Sequence, residues 1–452
     1  MGSVLRQAVA PLYLLMCLIL GGSAQVAWTN MALQLAGLAI IAWAAAAPTD
    51  ERLVTHARQF LWIVILALAV VAVQLIPLPG SLWPNLGGRP GLAEGLKVLG
   101  LQPSAMPLSL APYDSLATLF AAIPALAMFC AIVRLKAYRR SWLAYALLAG
   151  TFAGILLGVL QVTSPNPITS PWYLYRQVSF GYATGFFANA NHMAMLLVIS
   201  LPFLAALLAS ARRANVQRYS AAISLVAAAA LVILIGIALN QSLAGYGLAV
   251  PVLAGSALVA VRAAPAARRW IMTAAIVLLV AAAAALALSP VGERSLGAQA
   301  SVSSRAEITA TTAEAAGDYL PLGSGLGTFR EIYRLYEDHD RITRYYVNHA
   351  HNDYAEIALE MGVPGIVLLL LFLVWWAAAC WRAWRAGEAG PYARAASIAS
   401  AALLVHSAVE FPLRTAALSA CFAMCLALLV EKRRSRESDR SELRPTRHVV
   451  LK

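Results

Sequence analysis

The chain has 452 residues, 61% hydrophobic and only 12% charged, and its mean hydropathy of +0.71 excludes an ordinary soluble globular protein. Its net charge of +13 needs no nucleic acid to explain it, because the basic residues fall where membrane topology calls for them. All five cysteines (Cys17, Cys130, Cys380, Cys421, Cys425) lie in apolar stretches, so no exported disulfide framework or zinc site is implied.

Stretches of about 20 apolar residues, the length that crosses a bilayer, predict twelve spans. They are residues 9–27, 30–48, 59–78, 114–133, 142–163, 191–210, 220–239, 243–261, 271–289, 362–381, 396–412 and 415–431. An even number places both ends on one side. With the N-terminus inside, 24 of the 34 Lys and Arg lie inside, against seven of the 21 Asp and Glu. Positive charge prefers the cytoplasmic side, so both termini are expected there. Lys432-Arg433-Arg434-Ser435-Arg436 reads as a topology anchor against anionic lipid. Residues 1–24 share features with a signal peptide, but we read them as an uncleaved first span.

Three outer segments exceed turn length: 79–113, rich in Pro, Gly and Leu and expected to form a short lid or re-entrant piece; 164–190; and the large loop 290–361. The chain thus divides into spans one to nine (1–289), the large loop (290–361), spans ten to twelve (362–431) and a basic cytoplasmic tail (432–452). Inside the large loop, Gly323-Ser324-Gly325-Leu326-Gly327 is a flexible turn; no strand precedes it, so it is only superficially a phosphate loop. Phe329, Ile332, Tyr333 and Tyr336 then recur at helical spacing with Arg330 and Arg334 on another face, an amphipathic helix fit to lie on the membrane or cover a cavity. Asp353 and Glu356 form a capping-box pattern, and Asn352, Glu356 and Glu360 share one polar stripe on the helix that follows.

The chemistry gathers at Asn348-His349-Ala350-His351-Asn352-Asp353-Tyr354. Imidazole works as a general base near neutral pH, and Asn352, Asp353 and Glu356 stand close enough in sequence to fix its tautomer. The plainer alternative is a pair of hydrogen-bonded loop histidines. His339 between Asp338 and Asp340 adds potential ligands, but no metal-binding spacing is present and no metal is expected. Positive charge is disfavoured outside, yet Arg176, Arg305, Arg330, Arg334, Arg341, Arg344 and Arg414 all lie there. Guanidinium binds phosphate in bidentate fashion; the alternative is ion pairing with the outer acids. His406, Glu410 and Arg414 follow helical spacing at the outer end of span eleven, where ionisable groups are costly and face a cavity or one another.

Several of these motifs, taken in order, resemble the O-antigen ligase family. They are Arg176 with Gly185-Phe186-Phe187-Ala188-Asn189-Ala190-Asn191; Arg305, then Pro321-Leu322-Gly323-Ser324-Gly325-Leu326-Gly327-Thr328-Phe329; and His349-Ala350-His351-Asn352-Asp353-Tyr354 through Glu360-Met361-Gly362-Val363-Pro364-Gly365. The family includes O-antigen ligases, Wzy-type polysaccharide polymerases and protein O-oligosaccharyltransferases. The resemblance implies an all-α polytopic membrane fold of GT-C-like type, with about twelve spans and a large, partly helical periplasmic loop. It also implies metal-independent glycan transfer from undecaprenyl pyrophosphate in the periplasm of a bacterial inner membrane, without a cofactor. One departure stands out. Where many members carry Ser-Arg-(Ala/Gly)-Gly after span seven, this chain reads Ser242-Leu243-Ala244-Gly245, so the phosphate role falls to another arginine, with Arg414 the candidate.

The expected site therefore has His351 or His349 as base. Arg176, Arg305, Arg414, Arg330, Asn191, Asn352, Glu356 and Glu410 hold pyrophosphate and glycan, and an inverting one-step displacement passes the glycan to an acceptor hydroxyl. Lipid A–core, a second lipid-linked repeat and a protein Ser or Thr are the acceptors open to it. The rival class is a polysaccharide or lipid transporter. Transporters place charge near the bilayer midplane, whereas the ionisable residues here gather at the outer boundary.

Overall fold

Runs rich in Ala and Leu, the strongest helix formers, fold as helices throughout the structure. This is a computed structural model that describes residues 2–48, 53–102, 104–214, 219–260, 296–338, 346–385 and 390–431, with positions 270, 273, 277 and 340. In chain order the helices begin with α1 (Gly2–Leu20), α2 (Ala27–Ala46), α3 (Thr55–Leu75), α4 (Pro90–Val98), α5 (Pro112–Ala121), α6 (Ile123–Val133), α7 (Arg140–Val162) and α8 (Ala190–Ala214). They continue with α9 (Tyr219–Asn240), α10 (Leu243–Ala260), α11 (Leu296–Asp318), α12 (Phe329–Tyr336), α13 (Asp353–Trp384), α14 (Pro391–His406) and α15 (Ala416–Val430). Among the described residues, eight stretches are long and apolar enough to cross a membrane: α2, α3, the α5–α6 pair over Pro112–Val133, α7, α8, α9, α10 and α13. α1 and α15 are shorter apolar helices. The protein is an all-α polytopic membrane protein. Every expected span overlaps a helix except 271–289, of which only residues 273 and 277 are described, although α1 ends seven residues before the expected span 9–27 does and α14 six before 396–412 does; His339, Arg341, Arg344 and the tail 432–452 also lie outside the described residues.

Burial sorts the helices. α8 is largely enclosed by α7, α9, α10 and α14, and α15 packs against α1, α6 and α14. α3 and α9 instead leave Trp62, Ile65, Leu66, Leu225, Leu231 and Ile235 exposed. Such apolar faces would aggregate in water; against lipid chains they are the solvated face. Several residues expected inside meet one another: Arg6 donates to the Leu135 carbonyl (2.9 Å), Arg134 to those of Ala44 and Ala47, and Arg140 pairs with Glu431 at 3.0 Å.

Segment 79–113 folds as a clip. β1 (Pro77–Pro79) pairs antiparallel with β2 (Ala105–Pro107), and α4 lies between them. Arg89, fully buried, donates to the carbonyls of Gly87, Leu108 and Gly323, tying the clip to the large loop. The seam continues at the kink of α13, where Gly362 has φ 57° and ψ −147° and Pro364 supplies no N–H. Carbonyls near this break are met by the glycine-rich turn: Ser324 N–H reaches Leu359 O at 2.9 Å and Gly325 N–H reaches Glu360 O at 2.8 Å. Gln74 Nε2 also donates to Glu360 O (2.9 Å). A Cβ at Gly325, φ +118°, would fall within 2.6 Å of Ser109. The turn is therefore a packing seam, which accounts for its glycines without a phosphate.

Candidate active site

The alternation His-Ala-His splits along the backbone. Ala350 is fully buried in a satellite core with Ala315, Ala316 and Tyr319 beside it, Phe329, Ile332 and Tyr333 from α12, and Leu359 of α13. His349 and His351 instead lie against the ring of Phe411, at centroid distances of 4.3 and 5.0 Å. His192 of α8 meets the same ring at 5.1 Å. His351 has φ +52°, a left-handed conformation that His tolerates better than most side chains and that clusters at functional sites. Because Ala350 has no room to grow, Ala350→Leu should overpack that core, at about 1–3 kcal/mol, and displace both imidazoles. We expect a lowered melting temperature together with lost activity; an unchanged thermal melt would contradict this packing.

Each histidine is held through Nδ1 by a buried carboxylate. His351 Nδ1 lies 3.2 Å from Glu410 Oε2, and His349 Nδ1 lies 2.9 Å from Glu356 Oε1. Glu356 Oε2 also accepts the Ala350 N–H at 3.0 Å. Each side chain stays partly exposed, and among the described residues no hydrogen bond reaches its Nε2. That is the arrangement in which a carboxylate fixes an imidazole for proton transfer.

Glu410 is the hub. It lies in the turn after α14, which ends at His406, so His406, Glu410 and Arg414 do not form the helical stripe expected of them. Its Oε1 receives Arg305 Nη2 of α11 at 2.6 Å and Asn191 Nδ2 at 2.6 Å; its Oε2 receives Asn189 Nδ2 at 3.3 Å. Ser242 Oγ donates to Asn191 Oδ1 at 2.6 Å, which orients that amide. Burial alone would push the Glu410 carboxyl up, but Arg305 and the His351 ring outweigh it and hold it well below the usual carboxylate range.

Arg414 serves a second cluster. Its Nε lies 3.5 Å from Asp353 Oδ1, and its Nη2 lies 3.1 Å from Glu356 Oε1 and 3.4 Å from Glu360 Oε2. The 356/360 stripe is thus real, but it faces Arg414 rather than open solvent. Asn352 departs from it: its Oδ1 caps α13 by accepting the N–H groups of Tyr354 (3.0 Å) and Ala355 (3.1 Å). The N-cap is therefore Asn352, not the expected Asp353. The Asp353 N–H that a capping box would have offered Glu356 donates instead to Ser407 O at 2.8 Å, and Glu356 accepts from His349 and Ala350.

Not every expected residue converges. Arg330 is exposed on α12 and pairs with its neighbour Glu331 at 2.9 Å, as does Arg334 at 3.4 Å. α12 buries Phe329, Ile332 and Tyr333 against α11 and the start of α13, so it is docked on protein and not free on the membrane. Since exposed pairs contribute only about 0–1 kcal/mol, Arg330→Ala should leave activity within about threefold of wild type; a loss of a hundredfold in a transfer assay would return Arg330 to the site. Arg176 is exposed and, among the described residues, makes no ion pair; its loop is fixed by Gln25 contacts to Gln177 and by Tyr175 Oη to Phe186 O (3.0 Å). Reading the sequence missed Phe411, Asn189, Ser242 and Arg89. Of these, Asn189, inside the quoted Asn-Ala-Asn motif, and Ser242, first residue of the quoted Ser242-Leu243-Ala244-Gly245, carried a signal.

Two comparisons bear on this geometry. Residues 228–370 match the family model described as O-Antigen ligase. The matched stretch contains Ser242, Arg305, His349, His351, Glu356 and Glu360, while Arg176, Asn191, Glu410 and Arg414 lie outside it. No curated protein in the comparison matches the chain.

Proposed function

We propose, from the premise that residues 228–370 carry an O-antigen ligase domain, that the protein moves a glycan from undecaprenyl pyrophosphate to an acceptor hydroxyl on the periplasmic face of a bacterial inner membrane. A glycosyltransferase-like enzyme of polysaccharide biosynthesis is what the family implies; donor, acceptor and mechanism are our reading. The observation that carries it is the paired imidazole–carboxylate arrangement, His351 on Glu410 and His349 on Glu356, with Arg305 bound to the same Glu410.

The acceptor hydroxyl approaches His351 Nε2, which takes its proton as the oxygen attacks the anomeric carbon. Glu410, fixed by Arg305, Asn189 and Asn191, orients the ring and stabilises the imidazolium that forms. The bond from the anomeric carbon to the phosphate oxygen breaks, its electron pair leaves with the pyrophosphate, and Arg305 and the free Arg176 stabilise the developing charge. A single displacement inverts the anomeric centre, and no metal takes part. Arg414 holds the carboxylates of α13 in this reading, since three of them already occupy its guanidinium. Asn191 orients Glu410, and Asn352 shapes the helix start beneath the histidines. Lipid A–core or a second lipid-linked repeat is the acceptor we favour over a protein.

Proteoliposomes given a labelled undecaprenyl-pyrophosphate oligosaccharide test this against transport. Transfer of label to lipid A–core or to a second donor is expected. Movement of the donor across the bilayer without any new glycosidic bond would overturn the enzyme reading.

A further inference from the structure

We infer that the clip rests on the bilayer: α4 and the turns beside it insert apolar side chains among lipid at the membrane face where α3 ends. α4 is a helix that the described protein leaves uncovered. It has nine residues, none of them buried. A helix shorter than about 12–15 residues is marginal alone in water and is held by packing an amphipathic face. Gly91 and Gly95 inside it weaken it further. Among the described residues, a Cβ on Gly91, Gly95 or Gly100 would meet nothing within 4 Å. Leu92, Leu96 and Leu99 recur at helical spacing and form one apolar stripe, with Glu94 and Lys97 on the other face. Val98, Leu99 and Leu101 are 79%, 73% and 54% exposed, an apolar edge that water alone does not suit.

The attachment and charge of the clip select lipid as what covers it. Both ends hang from membrane-spanning stretches: α3 ends at Leu75, just before β1, and α5 opens at Pro112, shortly after β2. Ser109 N–H donates to Gln74 O and Gly80 N–H to Ser104 O, both at 2.8 Å, so the strand pair is rooted in the last turn of α3. The exposed apolar residues of α3, Leu66 and Val73 among them, continue along the chain through Ile76 to Leu82 in the clip. The clip's apolar surface thus carries on from the lipid-facing surface of α3. Between residues 76 and 112 the charged residues are Arg89, Glu94 and Lys97. Arg89 is buried, and Glu94 pairs with Lys97 at 3.6 Å, so the outer surface is neutral. Contact is therefore made by apolar insertion, not by attraction to anionic headgroups. On its other side the clip grips the large loop, through Arg89 to Gly323 O and Leu110 N–H to Ser324 O (2.9 Å). It is a strut between lipid and the glycine-rich seam.

The test places a nitroxide on Leu99→Cys or on Leu101→Cys, with Glu94→Cys as the polar-face control, in full-length protein at one copy per phosphatidylcholine nanodisc. The native cysteines are buried or half-buried, so wild type taken through the same labelling supplies the background. Leu99 and Leu101 are exposed, and each variant gives its own reading should the other fail to fold. Collisions with oxygen, which concentrates in lipid, are compared with collisions with a water-soluble nickel chelate. Relative to nickel, labels at 99 and 101 should meet oxygen several-fold more often than the label at 94. Adding phosphatidylglycerol or salt should leave that ratio unchanged. Nickel access at 99 and 101 equal to that at 94 would overturn the proposal. So would shielding from both reagents, which would mean a protein cover, or an oxygen preference that appears only with two copies per disc, which would assign the face to a second chain.

Discussion

His351→Ala should lower glycan transfer by about 10²–10⁴, the usual worth of a positioned general base, while the protein stays folded and inserted. Its Nδ1 contact to Glu410 is one of four that this carboxylate makes, so the hub survives its loss. Alanine is strained at φ +52°, and His351→Asn, which accepts that conformation, separates the chemical loss from a backbone effect. Both variants should elute like wild type in size-exclusion chromatography and both should be inactive. Arg305→Ala should cost about 10²–10³ in rate as a lost charge-stabilising donor. Wild-type product from the His351 and Arg305 variants would refute their roles.

Glu410→Ala should do something different: it should take stability and activity together. Glu410 is fully buried, and removing it leaves the Arg305 guanidinium facing a buried gap and two asparagine amides without their acceptor. Breaking a buried ion pair from one side costs about 3–5 kcal/mol, enough to lower the melting temperature by several degrees. Glu410→Gln keeps an acceptor oxygen but not the charge, so it should recover part of the stability and none of the transfer. A thermal melt of Glu410→Ala matching wild type would show that the hub does not hold these elements together.

The two predictions differ because one residue sits at the rim and the other at the centre of the network, a distinction only partly legible in the sequence. Local pattern carried far. Hydropathy located the helices, helical spacing gave the buried face of Phe329, Ile332 and Tyr333, and the 356/360 stripe marked carboxylates that share a face. What pattern could not supply was the partner across the fold. Glu410 finds Arg305 more than a hundred residues earlier, through the packing of α11 beside α13 and the early end of α14. Arg414 read as a phosphate ligand because free charge outside a membrane suggests a substrate; three carboxylates reached it first. Phe411 gave no signal, since an aromatic after a glutamate looks like any other until three imidazoles surround it. Asn352 was misread for a smaller reason: caps are set by the first helical turn, and helix starts shift by a residue or two on sequence grounds.

The proposed function has a sugar leaving its lipid carrier where imidazole and guanidinium meet over Glu410. The most direct check follows a single turnover by purified protein, with donor and acceptor present, and quantifies the undecaprenyl diphosphate set free. Wild type should release the carrier in step with the new glycosidic bond, and His351→Gln should release it about 10²–10⁴ more slowly. Equal release by both proteins, or a new linkage formed with the carrier still attached to its glycan, would contradict it.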